Sequence, residues 1–193
     1  MKQAKILTDT EIKRVKAIIK ANRYATRNMT MFLLALNVGL RAKELATIKV
    51  GDVLSADNTI RSECVLAKEQ TKRNEANRIF FNTAVQKQLT KYLEEHKHLQ
   101  ANLNGFLFTS KNYKGFTPKT VVDLFARIFK LANIEQASSH SMRRTFATKL
   151  ADNSTSVFAI QKLMRHKNIS TTQLYVNVTD TQLFNATNNL NFG

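Results

Sequence analysis

From residue 26 to residue 38 the chain is apolar on nearly every side, with Met29, Met31, Phe32, Leu33, Leu34, Leu36 and Val38 distributed around the helix. A helix of that composition has to be enclosed, so the rest of the chain must build a shell around it. Gly39 follows, a residue able to close the helix as its C-terminal cap. The 193 residues are 43% hydrophobic, too apolar for a disordered chain and enough for a packed core. The longest apolar run, residues 31–36, is far too short to span a bilayer, and the amino terminus, rich in Lys and Gln, lacks the apolar stretch of a signal peptide. Cys64 is the single cysteine, which excludes an internal disulfide and leaves a Cys/His zinc cluster short of ligands. A cytoplasmic protein without membrane contact is expected.

The shell is legible as short periodic segments. Thr8 and Glu11 form a capping box ahead of Ile12, Val15, Ile18 and Ile19, which predicts an amphipathic helix over 9–20. Residues 59–67 and 76–81 read as two β-type runs, joined by a polar segment from Lys68 to Glu75 that makes a hairpin with a long charged tip. Helical patterns resume at 84–97, at 118–132 with Thr117 as cap and Pro118 at the first position, and at 141–152, 157–165 and 170–176. The expected fold class is therefore mainly α with a small antiparallel β-sheet (α+β). One proline, five glycines and no Gly/Ser/Pro linker point to a single domain over 1–193.

The formal net charge is +16, and it is not spread evenly. Residues 1–50 carry eleven Lys and Arg against three Asp and Glu, and residues 101–150 carry eight against two. Concentrated positive charge favours a polyanion, because each neutralised phosphate releases condensed counterions. The alternative is a solvated basic face that docks an acidic protein.

Three segments stand out against this background: Gly39-Leu40-Arg41-Ala42-Lys43-Glu44-Leu45, then His140-Ser141-Met142-Arg143-Arg144-Thr145-Phe146-Ala147, then Leu163-Met164-Arg165-His166 followed by Thr171-Thr172-Gln173-Leu174-Tyr175. Together, over roughly residues 7–178, they resemble the catalytic domain of the tyrosine recombinase (phage integrase) family. That family is marked by a G-L-R-x-x-E-L box, an H-x-L-R box and an L-G-H box with a tyrosine nine residues after its histidine, the spacing of His166 and Tyr175. Each short pattern recurs by chance, but three in this order do not. The resemblance implies the family fold and an enzyme that cleaves and rejoins double-stranded DNA through a 3′-phosphotyrosyl bond, with no metal and no cofactor.

The roles it implies suit the residue types. Tyr175 is the nucleophile, and its hydroxyl, with an ordinary pKa near ~10, needs cations or a base to ionise. Arg41 and Arg143 suit the phosphate, since a guanidinium fork stays charged and binds two oxygens. His140 and His166 suit proton transfer and hydrogen bonding near neutral pH. Glu44, three residues after Arg41, supports that arginine, although an ordinary surface ion pair is the plain alternative. The family's general-acid lysine sits in a hairpin turn, where Lys72 is the candidate and Lys68 the alternative. Lys43, Lys68, Arg73, Arg144, Arg165 and Lys167 are candidate DNA contacts.

Two positions depart from the family pattern. Arg165 stands in place of the usual glycine before the third-box histidine, and Arg144 stands where a histidine is frequent. The chain also begins at what resembles the first helix of the catalytic domain, as expected of a truncated recombinase or of a short form resembling the fimbrial phase-variation invertases. The resemblance further implies a homo-tetramer on DNA, with a monomer or weak oligomer when free, working in the nucleoid of a bacterium or encoded by a phage. Thr179 or Asp180 can cap a last helix whose stripe, Leu183, Phe184, Ala186 and Leu190, either folds back on its own core or docks on a neighbouring protomer. Competing functions are topoisomerase IB-like relaxation, a non-cleaving DNA-binding regulator, and a basic architectural protein.

Overall fold

The computed structural model describes residues 4–71, 75–110 and 114–175, together with Phe184 and Asn188. The chain divides into two compact units, Met1–Phe146 and Ala147–Gly193.

In the first unit, α1 (Asp9–Lys20) starts at the expected capping box: the Thr8 hydroxyl accepts the Glu11 N–H at 3.2 Å and the Glu11 carboxylate accepts the Thr8 N–H at 2.9 Å. Helix α2 (Ala25–Asn37) is the apolar segment, and Met31, Phe32, Leu34 and Ala35 are fully enclosed. Short helices α3 (Ala42–Thr47) and α4 (Val50–Val53) follow. Strands β1 (Glu63–Leu66) and β2 (Asn77–Phe80) pair antiparallel, with Cys64 opposite Ile79 and Leu66 opposite Asn77. Helix α5 (Thr83–Glu95) packs against α2, and α6 (Pro118–Leu131) packs against α1 and α3, so the apolar helix is shielded as its composition requires. Their core residues include Val85, Leu89 and Tyr92 from α5 and Val121, Phe125 and Phe129 from α6. The Tyr92 hydroxyl donates to the Leu107 carbonyl at 3.0 Å, satisfying the one polar atom its burial takes from water.

Helix α7 (Ser139–Asp152) carries the second motif, and the division between the units falls within it. The second unit continues with α8 (Val157–Met164) and α9 (Ser170–Gln173), which pack on each other, and Ile160, Met164 and Thr172 are fully buried there. Among the described residues no helix is long and apolar enough to cross a membrane.

Several boundaries differ from the sequence expectation for local reasons. The first β run begins at Glu63 and not at 59, because Asn58 takes a left-handed turn and Ile60 bridges back to Leu54. Helix α7 starts at Ser139 because Ser138 and Ser141 cap it: the Ser141 hydroxyl accepts the Ser138 N–H at 3.0 Å and the Ser138 hydroxyl accepts the His140 N–H at 3.3 Å. His140 therefore lies in the first turn of that helix. The expected C-terminal stripe lies outside the described residues except for Phe184, which is exposed.

Candidate active site

The first unit brings the first two motifs together. Gly39 leaves α2 with φ +66°, and a Cβ there would lie 2.6 Å from the Phe146 ring, so both backbone and neighbour demand glycine. The turn exposes the Gly39 carbonyl, which accepts a hydrogen bond from the Arg143 guanidinium. Arg143 is nearly buried on α7, and this bond sets its side chain against the Gly39-Leu40-Arg41 turn. Arg41 occupies the N-cap position of α3 and is held twice by Glu44: its N–H donates to Oε2 at 2.8 Å and its guanidinium to Oε1 at 2.9 Å. Glu44 is fully buried, so this is no ordinary surface ion pair. A buried carboxylate on one side of a half-exposed arginine fixes the direction in which the remaining N–H groups point. His140 lies one turn before Arg143 on α7, exposed, with Nδ1 3.5 Å from the Ser139 hydroxyl.

Other expected contacts are placed differently. Arg144 donates to the Ala4 carbonyl, and beside it the Leu7 N–H donates to the buried Thr145 hydroxyl at 2.8 Å, so α7 clasps the amino-terminal segment. The Lys43 ammonium donates to the Thr71 carbonyl at 2.6 Å. Lys72 and Arg73 lie outside the described residues, but their support does not. Lys68 begins a 3₁₀ turn ending at Gln70, whose buried amide donates to the Thr47 carbonyl at 3.0 Å and to Asp52 Oδ2 at 2.5 Å while accepting the Ala67 N–H at 2.7 Å. The buried Thr71 hydroxyl lies 3.0 Å from the Lys68 carbonyl and 2.9 Å from that of Glu75, and accepts the Glu75 N–H at 3.2 Å. Residues 67–71 and 75 therefore form a closed base in which Gln70 and Thr71 are buried. Gln70 and Thr71 were not singled out by the sequence motifs; a glutamine and a threonine amid charged residues were the only signal.

The neighbouring Cys64 is no rival nucleophile. Burial pushes its thiol up to about 12, with the charge of Asp52 adding to the effect, so it stays protonated at neutral pH.

In the second unit, α8 ends at Arg165, which adopts φ 54° and ψ 47°. This is the left-handed conformation that a glycine adopts without cost, and for an arginine it costs about 1–2 kcal/mol. The Arg165 and His166 N–H groups close the helix end, the latter donating to the Gln161 carbonyl at 3.1 Å. The Gln161 amide in turn donates to the carbonyls of His166 and Lys167 at 3.1 and 3.2 Å. His166 Nδ1 lies 2.9 Å from the fully buried Thr172 hydroxyl, and its ring stacks on that of Tyr175 with centroids 6.0 Å apart and planes 27° apart. The nine-residue spacing thus delivers a histidine and a half-buried tyrosine to one place.

The fold is that of tyrosine recombinase catalytic domains. The structure superposes on that of XerA recombinase with a TM-score of 0.75 at 22% identity, over 100% of this chain and 68% of that one. On the Tn1549 transposon integrase, solved in complex with transposon right end DNA, the TM-score is 0.76 at 20% identity, over 97% and 66%. By sequence, the chain belongs to the phage integrase family, whose pattern covers residues 5–182. It is 33% identical over 168 residues to tyrosine recombinase XerC of Caldanaerobacter subterraneus subsp. tengcongensis, spanning 86% of this chain and 45% of that protein. It is 30% identical over 177 residues to XerA of Saccharolobus solfataricus, spanning 92% and 53%. The chain spans about half the length of the curated relatives it matches.

Proposed function

We propose that the protein is a site-specific DNA recombinase of the tyrosine type, working through a single catalytic domain. Arg41 and Arg143 hold the non-bridging oxygens, and His140 and His166 donate hydrogen bonds or move protons. The Tyr175 oxygen attacks phosphorus, the bond to the 5′-oxygen breaks, and Lys72 protonates that leaving oxygen. The resulting 3′-phosphotyrosyl ester keeps the bond energy, so a 5′-hydroxyl from another strand reverses the step and exchanges the strands without ATP. Lys68 is the alternative acid, and Lys43, Arg73, Arg144, Arg165 and Lys167 are the DNA contacts of this reading. It places the protein on chromosomal or phage DNA in the bacterial cytoplasm, acting as a homo-tetramer at synapsis.

The observation that carries the reading is the Arg143 bond to the Gly39 carbonyl, which joins two motifs about a hundred residues apart and brings Arg143 to the turn that leads into Arg41. The stacking of His166 on Tyr175 supports it independently. The test is trapping with nicked duplexes made from the DNA flanking the protein's own gene. Wild type should form a covalent adduct in EDTA, since cations of the chain fill the electrostatic role of a metal. Tyr175→Phe should form none while binding the same DNA as tightly; an adduct in that variant overturns the assignment of the nucleophile.

A further inference from the structure

The first unit supplies the arginines, but what fixes the imidazole beside Tyr175 is a residue the motifs leave without a role. Thr172 is fully buried, and its hydroxyl meets His166 Nδ1 at 2.9 Å. Its carbonyl accepts the Tyr175 N–H at 3.0 Å, and its own N–H donates to Ile169 at 2.7 Å. One residue therefore holds the ring of His166 by its side chain and the backbone of Tyr175 by its main chain.

The direction of the hydroxyl bond has a chemical consequence. A neutral imidazole carries one N–H, and the partner of one nitrogen decides which nitrogen bears it. If Nδ1 carried the proton and donated to Thr172, the hydroxyl proton would be left buried with no acceptor among the described residues. An unmet buried polar group costs about 1–3 kcal/mol. If the hydroxyl donates to Nδ1, the hydroxyl proton and the Nδ1 lone pair satisfy each other and the ring proton sits on Nε2. When the ring becomes cationic, Nδ1–H donates back to the same oxygen, and Nε2 still carries a proton.

We infer that Thr172 is a positioning residue: its hydroxyl holds His166 with the proton on Nε2 in both charge states, presenting a hydrogen-bond donor to the phosphate that Tyr175 attacks. The assignment rests on the recombinase reading, in which negative charge develops on the phosphate oxygens and a donor oriented beforehand stabilises it. Gln161 holds the backbone carbonyls of His166 and Lys167, and Thr172 adds a directional bond to the ring itself.

Two variants separate the hydroxyl from the packing it comes with. Thr172→Val keeps the shape and loses the hydroxyl; Thr172→Ser keeps the hydroxyl and loses a methyl group. The tautomer is read on the full chain labelled with ¹⁵N-histidine, with the His166 signals assigned by their loss in His166→Asn. Wild type and Thr172→Ser should show Nε2–H, and Thr172→Val should shift towards Nδ1–H. On nicked duplexes from the gene's flanks, Thr172→Val should cleave ~10- to 100-fold more slowly, the cost typical of losing an outer partner that orients a histidine. Its DNA affinity should change less than about twofold, and Thr172→Ser should stay within about threefold of wild type in rate. An Nδ1–H tautomer in wild type overturns the inference, as does a Thr172→Ser defect as large as that of Thr172→Val. Should Thr172→Val fail to fold, the wild-type tautomer and the serine variant still decide. Should wild type form no adduct at all, the recombinase reading fails while the tautomer still reports on the Thr172 bond.

Discussion

Arg143 in the first unit and the His166–Tyr175 pair in the second are held by bonds of very different reach. In the first unit Arg143 meets Gly39 across 104 positions and Lys43 meets Thr71 across 28. In the second unit the bonds from Gln161 to His166 and Lys167 cross 5 and 6 positions, and that from His166 to Thr172 crosses 6. Arg143, placed by a distant contact, takes up that geometry only when the whole unit has folded, whereas Arg41 is held by Glu44 three positions on. The described bonds of His166 and Tyr175 to Gln161 and Thr172 come from neighbours in sequence. The comparison teaches that the placement of Arg143 is a property of tertiary packing, whereas the bonds around His166 and Tyr175 follow local chain geometry.

The sharpest way to break this comparison is Gly39→Ala. The left-handed turn costs an alanine about 1–2 kcal/mol, and the new Cβ, 2.6 Å from Phe146, adds about 1–3 kcal/mol of overpacking. Thermal unfolding should fall by roughly 5–15 °C, and adduct formation should fall with it. A variant that loses cleavage at unchanged Tm would show that the turn is not part of the fold's own support. Glu44→Gln is expected to act less strongly. The amide oxygen can still accept the Arg41 N–H, but the charged partner of the guanidinium is gone, a loss of about 1–3 kcal/mol read by denaturant titration, with cleavage slowed about tenfold. Gln161→Ala sharpens the contrast from the other side and should have the smallest effect. Calorimetry should show Tm within about 2 °C of wild type, while single-turnover cleavage slows about two- to tenfold. A drop in stability comparable to that of Glu44→Gln would mean that the second unit is braced as globally as the first.

The same contrast explains which parts of the molecule could be read from sequence. Helix α1 was legible to the residue because its start is a four-residue capping box and its face repeats within three turns. His166 and Tyr175 were legible because their relation is local. Helices α3 and α4 were not, since six and four residues are too few to show a period. The burial of Glu44 was hidden as well: spacing of three identifies a pair but says nothing of what covers it, and here α6 packs over α3. Gly39 was visible as a helix cap, but its second requirement comes from Phe146, which only the folded chain brings near. For the same reason Lys43 and Arg144, both basic and near motif arginines, give no sequence sign that their donors meet the carbonyls of Thr71 and Ala4.

The clasp between Leu7 and Thr145 joins the two ends of the first unit across 138 positions. A chain made from its amino terminus at about 5–20 residues per second therefore holds Leu7 without that partner for roughly 7–28 s. Over that interval the emerging polypeptide can bury α2 and form its hairpin, but it cannot seat α7. Biosynthesis thus imposes an order of its own: the Gly39 turn is laid down early, and Arg143 reaches it only as the ring closes.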